Sequence, residues 1–174
     1  ENFKSIEKNK VKVYSCGPTV YSTQHIGNLR AGIFVDVLKR MFRYFDYEVV
    51  DVINITDVGH LVSDSDDGED KMLKASKIEN KDPYEIAKYY ENIYVHDLQK
   101  LNVILPKEMP RATDHIEEQI EIIEKLEKKG FTYKTSDGIY FDTSKFKEYG
   151  SLSGQSLDEK KSGASGRVNI ENNE

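Results

Sequence analysis

Residues 11–28 read VKVYSCGPTVYSTQHIGN, and this stretch decides the fold. Valine alternates with more polar residues at its start, and this period of two predicts a β-strand over Val11–Cys16. Gly17 and Pro18 end that strand and begin a loop, because neither residue suits the interior of a sheet. A helix is then predicted from Gly27 to about Tyr44. Its apolar residues recur at helical spacing, namely Ile33, Phe34, Val37, Leu38, Met41 and Phe45.

A second strand is predicted where the chain becomes apolar again after this helix. Glu48–Ile55 is a nearly continuous apolar run interrupted by Asp51, which is typical of a strand that is covered on both faces. A strand, a crossover helix and a second strand form the unit from which parallel sheets are built. The sequence therefore predicts an α/β fold with a Rossmann-like parallel sheet and flanking helices.

Two more helices are predicted downstream. Pro83 begins the first one, since proline is tolerated in the first helical turn. Its buried stripe is expected at Ala87, Tyr90, Ile93 or Tyr94, Asp97 or Leu98, and Leu101. A short strand is predicted near Met109–Ala112. Thr113 or Asp114 would cap the second helix, and Gly130 would end it.

The sequence changes character after Gly130. Asp137 and Gly138 lie between two short runs of strand-forming residues, which predicts a hairpin whose two central turn residues have positive φ. From Glu148 onward the chain is polar and rich in glycine, serine and lysine, and we interpret it as extended or poorly ordered. No end cap is evident there, so we expect the fold to continue beyond residue 174.

Composition limits the classes of function. The chain has 174 residues with 37% hydrophobic and 32% charged residues, which fits a soluble globular protein. No run approaches the roughly 20 apolar residues that span a bilayer, and Glu1–Lys10 has no apolar core of a signal peptide. A single cysteine, Cys16, excludes an internal disulfide and suits a reducing cytoplasm. The net charge of −6 does not indicate a nucleic-acid binder, so contacts with RNA would need local basic patches or other parts of the protein.

The candidate chemistry lies at the end of the first strand and in the loop after it. Ligands of open parallel sheets bind beyond the carboxyl ends of the strands, where Cys16 is expected. His25 and Asn28 lie where the loop becomes a helix, so they and free backbone N–H groups can donate to a phosphate. Gly27 leaves room for a flat ring such as adenine. A lone cysteine is more often an apolar filler, and a lone histidine more often a helix cap.

The acidic run Asp64–Asp70 suggests a calcium loop, but it does not fit the template. If Gly68 takes the glycine position, Ser63 takes the first position and Lys74 takes the position that requires glutamate. We therefore interpret this run as a solvated loop.

The chain resembles the amino-terminal half of the cysteinyl-tRNA synthetases, a family of class I aminoacyl-tRNA synthetases. His25-Ile-Gly-Asn28 is similar to the family's "HIGH" element, and the cysteine nine residues upstream makes the match specific. Further matches follow in order from Val11 to about Ser153. They are Asn54-Ile-Thr-Asp57, Pro110-Arg-Ala-Thr-Asp-His-Ile116, Asp137-Gly-Ile-Tyr-Phe-Asp142 and Tyr149-Gly-Ser-Leu-Ser153.

The resemblance implies a reaction and a set of site residues. Cysteine would be activated with ATP and Mg²⁺ to cysteinyl-adenylate and then transferred to tRNA(Cys). His25 and Asn28 would be catalytic and, with Thr19 and Gly27, would bind ATP. Cys16 would be one ligand of a single Zn²⁺ ion and, with Gly17 and Thr56, would bind cysteine. Thr56 could instead only satisfy the end of a strand.

The resemblance also implies how the chain is organised. Residues 1–133 would be the first half of a nucleotide-binding Rossmann-like catalytic domain, and residues 134–174 would be the start of a β-containing connective insertion and a polar tail. We expect a cytoplasmic monomer without membrane contact. The other zinc ligands and the lysine-rich "KMSKS" loop would lie outside this chain, so we expect the chain alone to be inactive. After Asp57 the chain reads Val-Gly-His-Leu, where many relatives are acidic.

Two other functions fit the same residues. A related zinc-dependent cysteine ligase would pass cysteine to an amino sugar instead of tRNA. A catalytically silent nucleotide-binding module would keep only the fold. It would have no need to retain Cys16, His25, Gly27 and Asn28 together, which disfavours this alternative.

Overall fold

The structure is a computed structural model that describes residues 3–58, 75–78, 80–136 and 138–152. It forms two compact units: the first holds the described residues as far as Asp114, and the second holds those from His115 onward. The acidic run Asp64–Asp70, interpreted as a solvated loop, and the part of the polar tail after residue 152 lie outside the described residues. The domain boundary at residue 133 stays a prediction.

The first unit is built on a parallel sheet, which confirms the predicted α/β fold. Strand β1 (Lys10–Ser15) pairs with β2 (Glu48–Ile53) in parallel, from Lys10 beside Glu48 to Ser15 beside Ile53. The other edge of β2 pairs in parallel with the backbone near residue 108, and this pairing continues past the strand. The Ile55 N–H donates to the Pro110 carbonyl at 2.8 Å, and Ala112 donates back to Ile55 at 3.0 Å. The short strand predicted near Met109–Ala112 is therefore present as isolated bridges.

Two helices accompany this sheet. Helix α1 (Ile26–Tyr44) connects β1 to β2, as predicted. Helix α2 (Pro83–Lys100) begins with proline in its first turn, and Asp82 caps it by accepting from the Tyr84 N–H at 2.8 Å. Residues from α2 and from the segments after β1, β2 and α2 form the core, namely Val20, Ile55, Ile86, Ala87, Tyr94, Leu98 and Val103.

The predicted buried stripe of α2 is correct in part. Ala87, Tyr94 and Leu98 are buried as expected. Leu101 is 44% exposed, because the helix ends at Lys100 and Leu101 forms its carboxyl-terminal cap. Glu91 is buried although no sequence pattern predicted it.

The buried face of α1 differs from the one that its apolar residues suggest. Phe34, Val37 and Phe45 are more than half exposed, whereas Asp36, Lys39 and Phe42 are buried. A polar residue is buried only where it finds partners, and α1 provides them through a group of charges. The helix was therefore predicted correctly, but its inward face was not.

We call the buried residues Asp36, Lys39 and Asp51, together with the exposed Arg40 that binds Asp36, the buried ion cluster. Lys39 is 1% exposed, and its Nζ donates to the Asp51 carboxylate of β2 and to the Ile104 carbonyl. Asp36 accepts from the Ile104 N–H at 2.9 Å and from Arg40 Nε at 2.6 Å. The cluster therefore joins α1 to β2 and to the segment that follows α2.

The pKa of Asp36 reflects this environment. Burial by itself would raise the pKa, but the hydrogen bonds from Arg40 and the Ile104 N–H, with the charges of Arg40 and Lys39, outweigh it and lower the pKa. The ionised carboxylate is thus the form that the folded protein stabilises.

The segment after Ala112 is capped differently from the prediction. Thr113–His115 forms a 3₁₀ turn, and helix α3 (Ile116–Lys128) follows it with His115 as its N-cap. The predicted cap by Thr113 or Asp114 is therefore wrong, and no side chain makes a capping hydrogen bond to α3. Thr113 is instead held by Asp57, whose carboxylate accepts from its N–H at 3.0 Å and from its hydroxyl.

The second unit contains α3 and a hairpin. Gly130 has φ of +75°, which fits its predicted place at the end of α3. Strands β3 (Thr132–Lys134) and β4 (Ile139–Phe141) pair antiparallel, which confirms the hairpin. The predicted two-residue turn is wrong, since the last strand pair is Lys134 with Ile139 and Thr135 donates to the Gly138 carbonyl at 2.9 Å. Gly138 also lacks a positive φ.

Candidate active site

A cavity of about 400 Å³ opens between the end of β1 and the start of α1. The predicted site residues that line it are Cys16, Gly17, Thr19, His25, Gly27 and Asn28. The structure therefore brings together residues from both ends of the loop, as the rule for open parallel sheets predicts. Thr56 is not among the lining residues.

Gly17 lets the chain turn at the mouth of β1. A Cβ atom at this position would lie 1.7 Å from the Asn54 carbonyl oxygen, so only glycine fits. The Gly17 N–H donates to Asn54 Oδ1 at 3.0 Å, and Asn54 Nδ2 donates to Thr56 Oγ1 at 3.2 Å. Asn54 therefore joins the end of β1 to the segment after β2.

Thr56 fastens the loop after β1 through its backbone. Its N–H donates to the Pro18 carbonyl at 3.0 Å, and its carbonyl accepts from the Val20 N–H at 3.1 Å. These bonds support the structural interpretation of Thr56, and its contact with substrate stays a prediction.

Cys16 is exposed at the cavity and does not pack as an apolar filler. Its thiol makes one weak contact, with the Gly17 carbonyl at 3.6 Å. Within the described residues no group of three or more His, Cys, Asp and Glu side chains could hold a metal ion. The described part of the chain thus offers a single sulfur ligand at this site.

His25 and Asn28 cap α1 reciprocally, and the cap decides which of their atoms remain available. His25 Nδ1 accepts from the Gly27 N–H at 3.0 Å, and Asn28 Oδ1 accepts from the His25 N–H at 3.3 Å. An imidazole whose Nδ1 accepts carries its proton on Nε2. Both acceptors are thereby used, while His25 Nε2 and Asn28 Nδ2 have no partner among the described residues.

This arrangement is suited to an anion. Two side-chain donors, the first N–H groups of the helix and the positive end of its dipole lie at one place. Gly27 leaves room for the cap, because a Cβ there would lie 2.8 Å from Cε1 of the His25 ring and would displace it. Whether Gly27 also lies against adenine stays a prediction.

Tyr94 is a cavity residue that the sequence placed only in the core stripe of α2. Its side chain is 6% exposed and lines the cavity beside Cys16, His25 and Gly32. Burial raises the pKa of its hydroxyl, and the charge of Cys16 raises it further. Helical periodicity could predict that Tyr94 is buried, but not that it faces a cavity.

A second polar group was also missed. Arg111 binds the buried carboxylate of Glu91 with two hydrogen bonds, of 2.7 and 2.8 Å. This bidentate pair holds the segment beside β2 against α2. A lone glutamate on an otherwise apolar helix face was the available signal in the sequence.

Among the helices that the structure describes, none combines the length and the apolar character needed to cross a membrane.

Comparison with known proteins agrees with this geometry. Residues 2–174 match the family described as tRNA synthetases class I (C) catalytic domain. The chain is 51% identical over 154 residues to the cysteine–tRNA ligase of Zymomonas mobilis, covering 88% of this chain and 30% of the relative. It is 44% identical over 173 residues to the cysteine–tRNA ligase of Treponema denticola, covering 99% of this chain and 35% of the relative.

A third relative is the cysteine–tRNA ligase of Deinococcus radiodurans, 45% identical over 153 residues that cover 88% of this chain and 31% of the relative. The chain spans about a third of the length of these curated relatives.

Proposed function

The chain belongs to the family of class I cysteinyl-tRNA synthetase catalytic domains, and we propose from this premise that it is the cysteine-activating part of a cysteine–tRNA ligase. The proposed substrates are cysteine, ATP with Mg²⁺, and tRNA(Cys), and the protein is proposed to be a cytoplasmic monomer. Residues 1–133 are proposed as the first half of the catalytic domain and residues 134–174 as the start of the connective insertion and tail.

The proposed reaction has two steps. The carboxylate of cysteine attacks the α-phosphorus of ATP, the bond to the leaving phosphate breaks, and cysteinyl-adenylate and pyrophosphate result. A ribose hydroxyl at the end of tRNA then attacks the carbonyl carbon and displaces AMP. The first step depends chiefly on position and on stabilising charge at phosphate oxygens.

The observation that carries the proposal is the reciprocal cap of α1. It directs the hydrogen-bond acceptors of His25 and Asn28 into the helix and leaves His25 Nε2 and Asn28 Nδ2 unpaired at the cavity. These two donors would hold phosphate oxygens of ATP while negative charge shifts between them. Thr19 and Gly27, which line the same cavity, would contact the nucleotide.

Cys16 fits a zinc ion, because an exposed thiol at the cavity is a soft ligand with little else bound to it. Cys16 would supply one of four ligands and would lie beside the substrate sulfur, with Gly17 and Thr56 near the bound amino acid. Zinc, when bound, selects sulfur over oxygen, whereas an apolar pocket separates such near-isosteres by only about 1–3 kcal/mol.

The decisive experiment is the exchange of pyrophosphate into ATP by the complete protein. We expect exchange with cysteine and far less with serine, because zinc binds a thiolate in preference to a hydroxyl. Transfer of labelled cysteine to tRNA(Cys), with an amino sugar as competing acceptor, then tests the second step. Absence of cysteine-dependent exchange would contradict the proposed activation.

A further inference from the structure

Tyr94 carries a hydroxyl that the described part of the fold does not use. The side chain is 6% exposed, yet its hydroxyl has no hydrogen-bond partner among the described residues. Within the described residues, this hydroxyl is therefore a donor that no contact of the fold occupies.

The unpaired oxygen of Tyr94 is not fully enclosed by the fold. No described side-chain nitrogen or oxygen that is fully enclosed lacks a partner, so the Tyr94 oxygen retains contact with open space. The cavity that Tyr94 lines is the one lined by Cys16, His25 and Asn28. Tyr94 and Cys16 do not bond each other, because the thiol's single contact is with the Gly17 carbonyl.

The position of Tyr94 relative to Cys16 indicates which ligand it meets. The two side chains line one cavity. If Cys16 marks the place of the substrate sulfur, as the proposed function requires, that sulfur lies within the reach of a donor from α2. A tyrosine hydroxyl is protonated at neutral pH, and a protonated hydroxyl donates.

We propose that Tyr94 is a positioning residue of the amino-acid subsite and that its hydroxyl donates a hydrogen bond to the sulfur of bound cysteine. This inference rests on the proposed function and deepens it. It assigns to α2 a contact with the bound amino acid, in addition to the contacts proposed for the strand ends and the loop after β1.

The test is Tyr94→Phe in the complete protein. Phenylalanine keeps the ring and removes only the hydroxyl, so the core around Ile86 and Leu98 stays filled. We expect KM for cysteine in pyrophosphate exchange to rise about 10- to 100-fold, the range for a hydrogen bond to a charged acceptor. KM for ATP and bound zinc should stay within about twofold of the unsubstituted protein, and direct binding of cysteine by calorimetry without ATP should weaken equally.

Tyr89→Phe is the matched control. Tyr89 lies on the same helix, is 55% exposed, and contacts Tyr90 and Lys81 through its ring, which phenylalanine preserves. All parameters of this variant should match those of the unsubstituted protein. The melting temperature of Tyr94→Phe should stay close to that of the unsubstituted protein, because the lost hydroxyl makes no hydrogen bond to the described residues.

Three outcomes would overturn the inference. If Tyr94→Phe bound cysteine normally in a protein with cysteine-dependent exchange, only the role of Tyr94 would fail. If the variant lost zinc, the hydroxyl would support the metal site and not the substrate. If the unsubstituted protein showed no cysteine-dependent exchange, the proposed function itself would fail and this inference with it.

Discussion

At the amino end of α1, His25 and Asn28 each keep one hydrogen-bond donor open to a cavity, whereas Asp36 and Lys39 in the same helix have all their charges paired. Lys39 is almost fully buried and His25 is exposed. Buried charges must be paired, because an unpaired one in the interior is strongly destabilising. Donors at a cavity remain hydrated until a ligand replaces the water. The difference separates the residues that hold this fold from those available for binding.

The comparison predicts two kinds of variant. Substitutions in the buried ion cluster should lower stability and leave substrate binding intact. Substitutions at the cavity should lower activity and leave stability nearly intact. Each of the following changes tests one side of this separation in the complete protein.

The largest effect is expected for Cys16→Ser. Substitution of a residue that supports a metal ligand typically lowers metal affinity or activity by about 10- to 100-fold. Loss of the ligand itself should cost more, so we expect cysteine-dependent exchange to fall by about 1,000-fold or more. Unfolding should change little, since the thiol is exposed and makes one weak contact. Pyrophosphate exchange, metal analysis and thermal unfolding measure the three quantities. Full zinc content with full cysteine activation would show that Cys16 is not a ligand.

Lys39→Met should have the next largest effect, on stability. It leaves the Asp51 carboxylate buried without its main partner, which typically costs about 3–5 kcal/mol. Arg43, 3.8 Å from Asp51, compensates only in part. Denaturant unfolding measures the loss, while KM for cysteine and ATP should not change.

The double variant Lys39→Met with Asp51→Leu is the control for this prediction. Removing both charges avoids an unpaired one, so most of the stability should return. If Lys39→Met had normal stability but a reduced kcat, Lys39 would belong with the residues that serve activity and not with those that stabilise the fold.

His25→Asn is expected to lower kcat by about 100- to 1,000-fold, the usual cost of losing one donor that stabilises transition-state charge. Asparagine is a good N-cap, so it preserves the start of α1 but loses the Nε2 donor. His25→Ala should lose the same activity and in addition about 1 kcal/mol of stability. If His25→Asn kept full activity, His25 would be a helix cap only.

The smallest effect is expected in the pH dependence of stability. The lowered pKa of Asp36 means that its ionised form contributes stability above the ordinary carboxyl pKa of about 3.9. That contribution is lost as the pH falls through the lowered value, because the unfolded chain binds the proton first. Asp36→Asn should therefore be less stable near pH 6 and should lose less stability on acidification.

Asp46→Asn is the matched control for the acid experiment. Asp46 is exposed and has φ of 60°, a conformation that asparagine tolerates equally well. Its acid unfolding curve should overlay that of the unsubstituted protein. If Asp36→Asn also overlaid it, the bonds from Arg40 and Ile104 would contribute no stability.

Much of the candidate site could be predicted because its signals are local. Alternation before Cys16, the Gly17-Pro18 stop and the helical spacing after Gly27 are each contained within a few residues. These patterns located β1, the loop and α1, and the rule for parallel sheets then located the cavity. The resemblance supplied the roles of single residues, which no pattern of spacing could.

Other features depended on partners that are far away in sequence. Asp36 bonds Ile104 across 68 positions and Arg111 bonds Glu91 across 20. Without these partners a buried lysine or glutamate is an improbable prediction, so the inward face of α1 was misjudged. Asp57 likewise holds Thr113 across 56 positions, in place of the predicted local cap of α3.

The sequence by itself determined the order of strand, loop and helix and the residues at the loop's two ends, because turn chemistry and periodicity act over short distances. Tertiary structure alone decided that Tyr94 reaches the same cavity as Cys16, that the cap of α1 leaves two donors free, and that Lys39 is buried. Such facts depend on how separate elements pack. Burial and pairing are properties of the assembled fold, and no segment carries them alone.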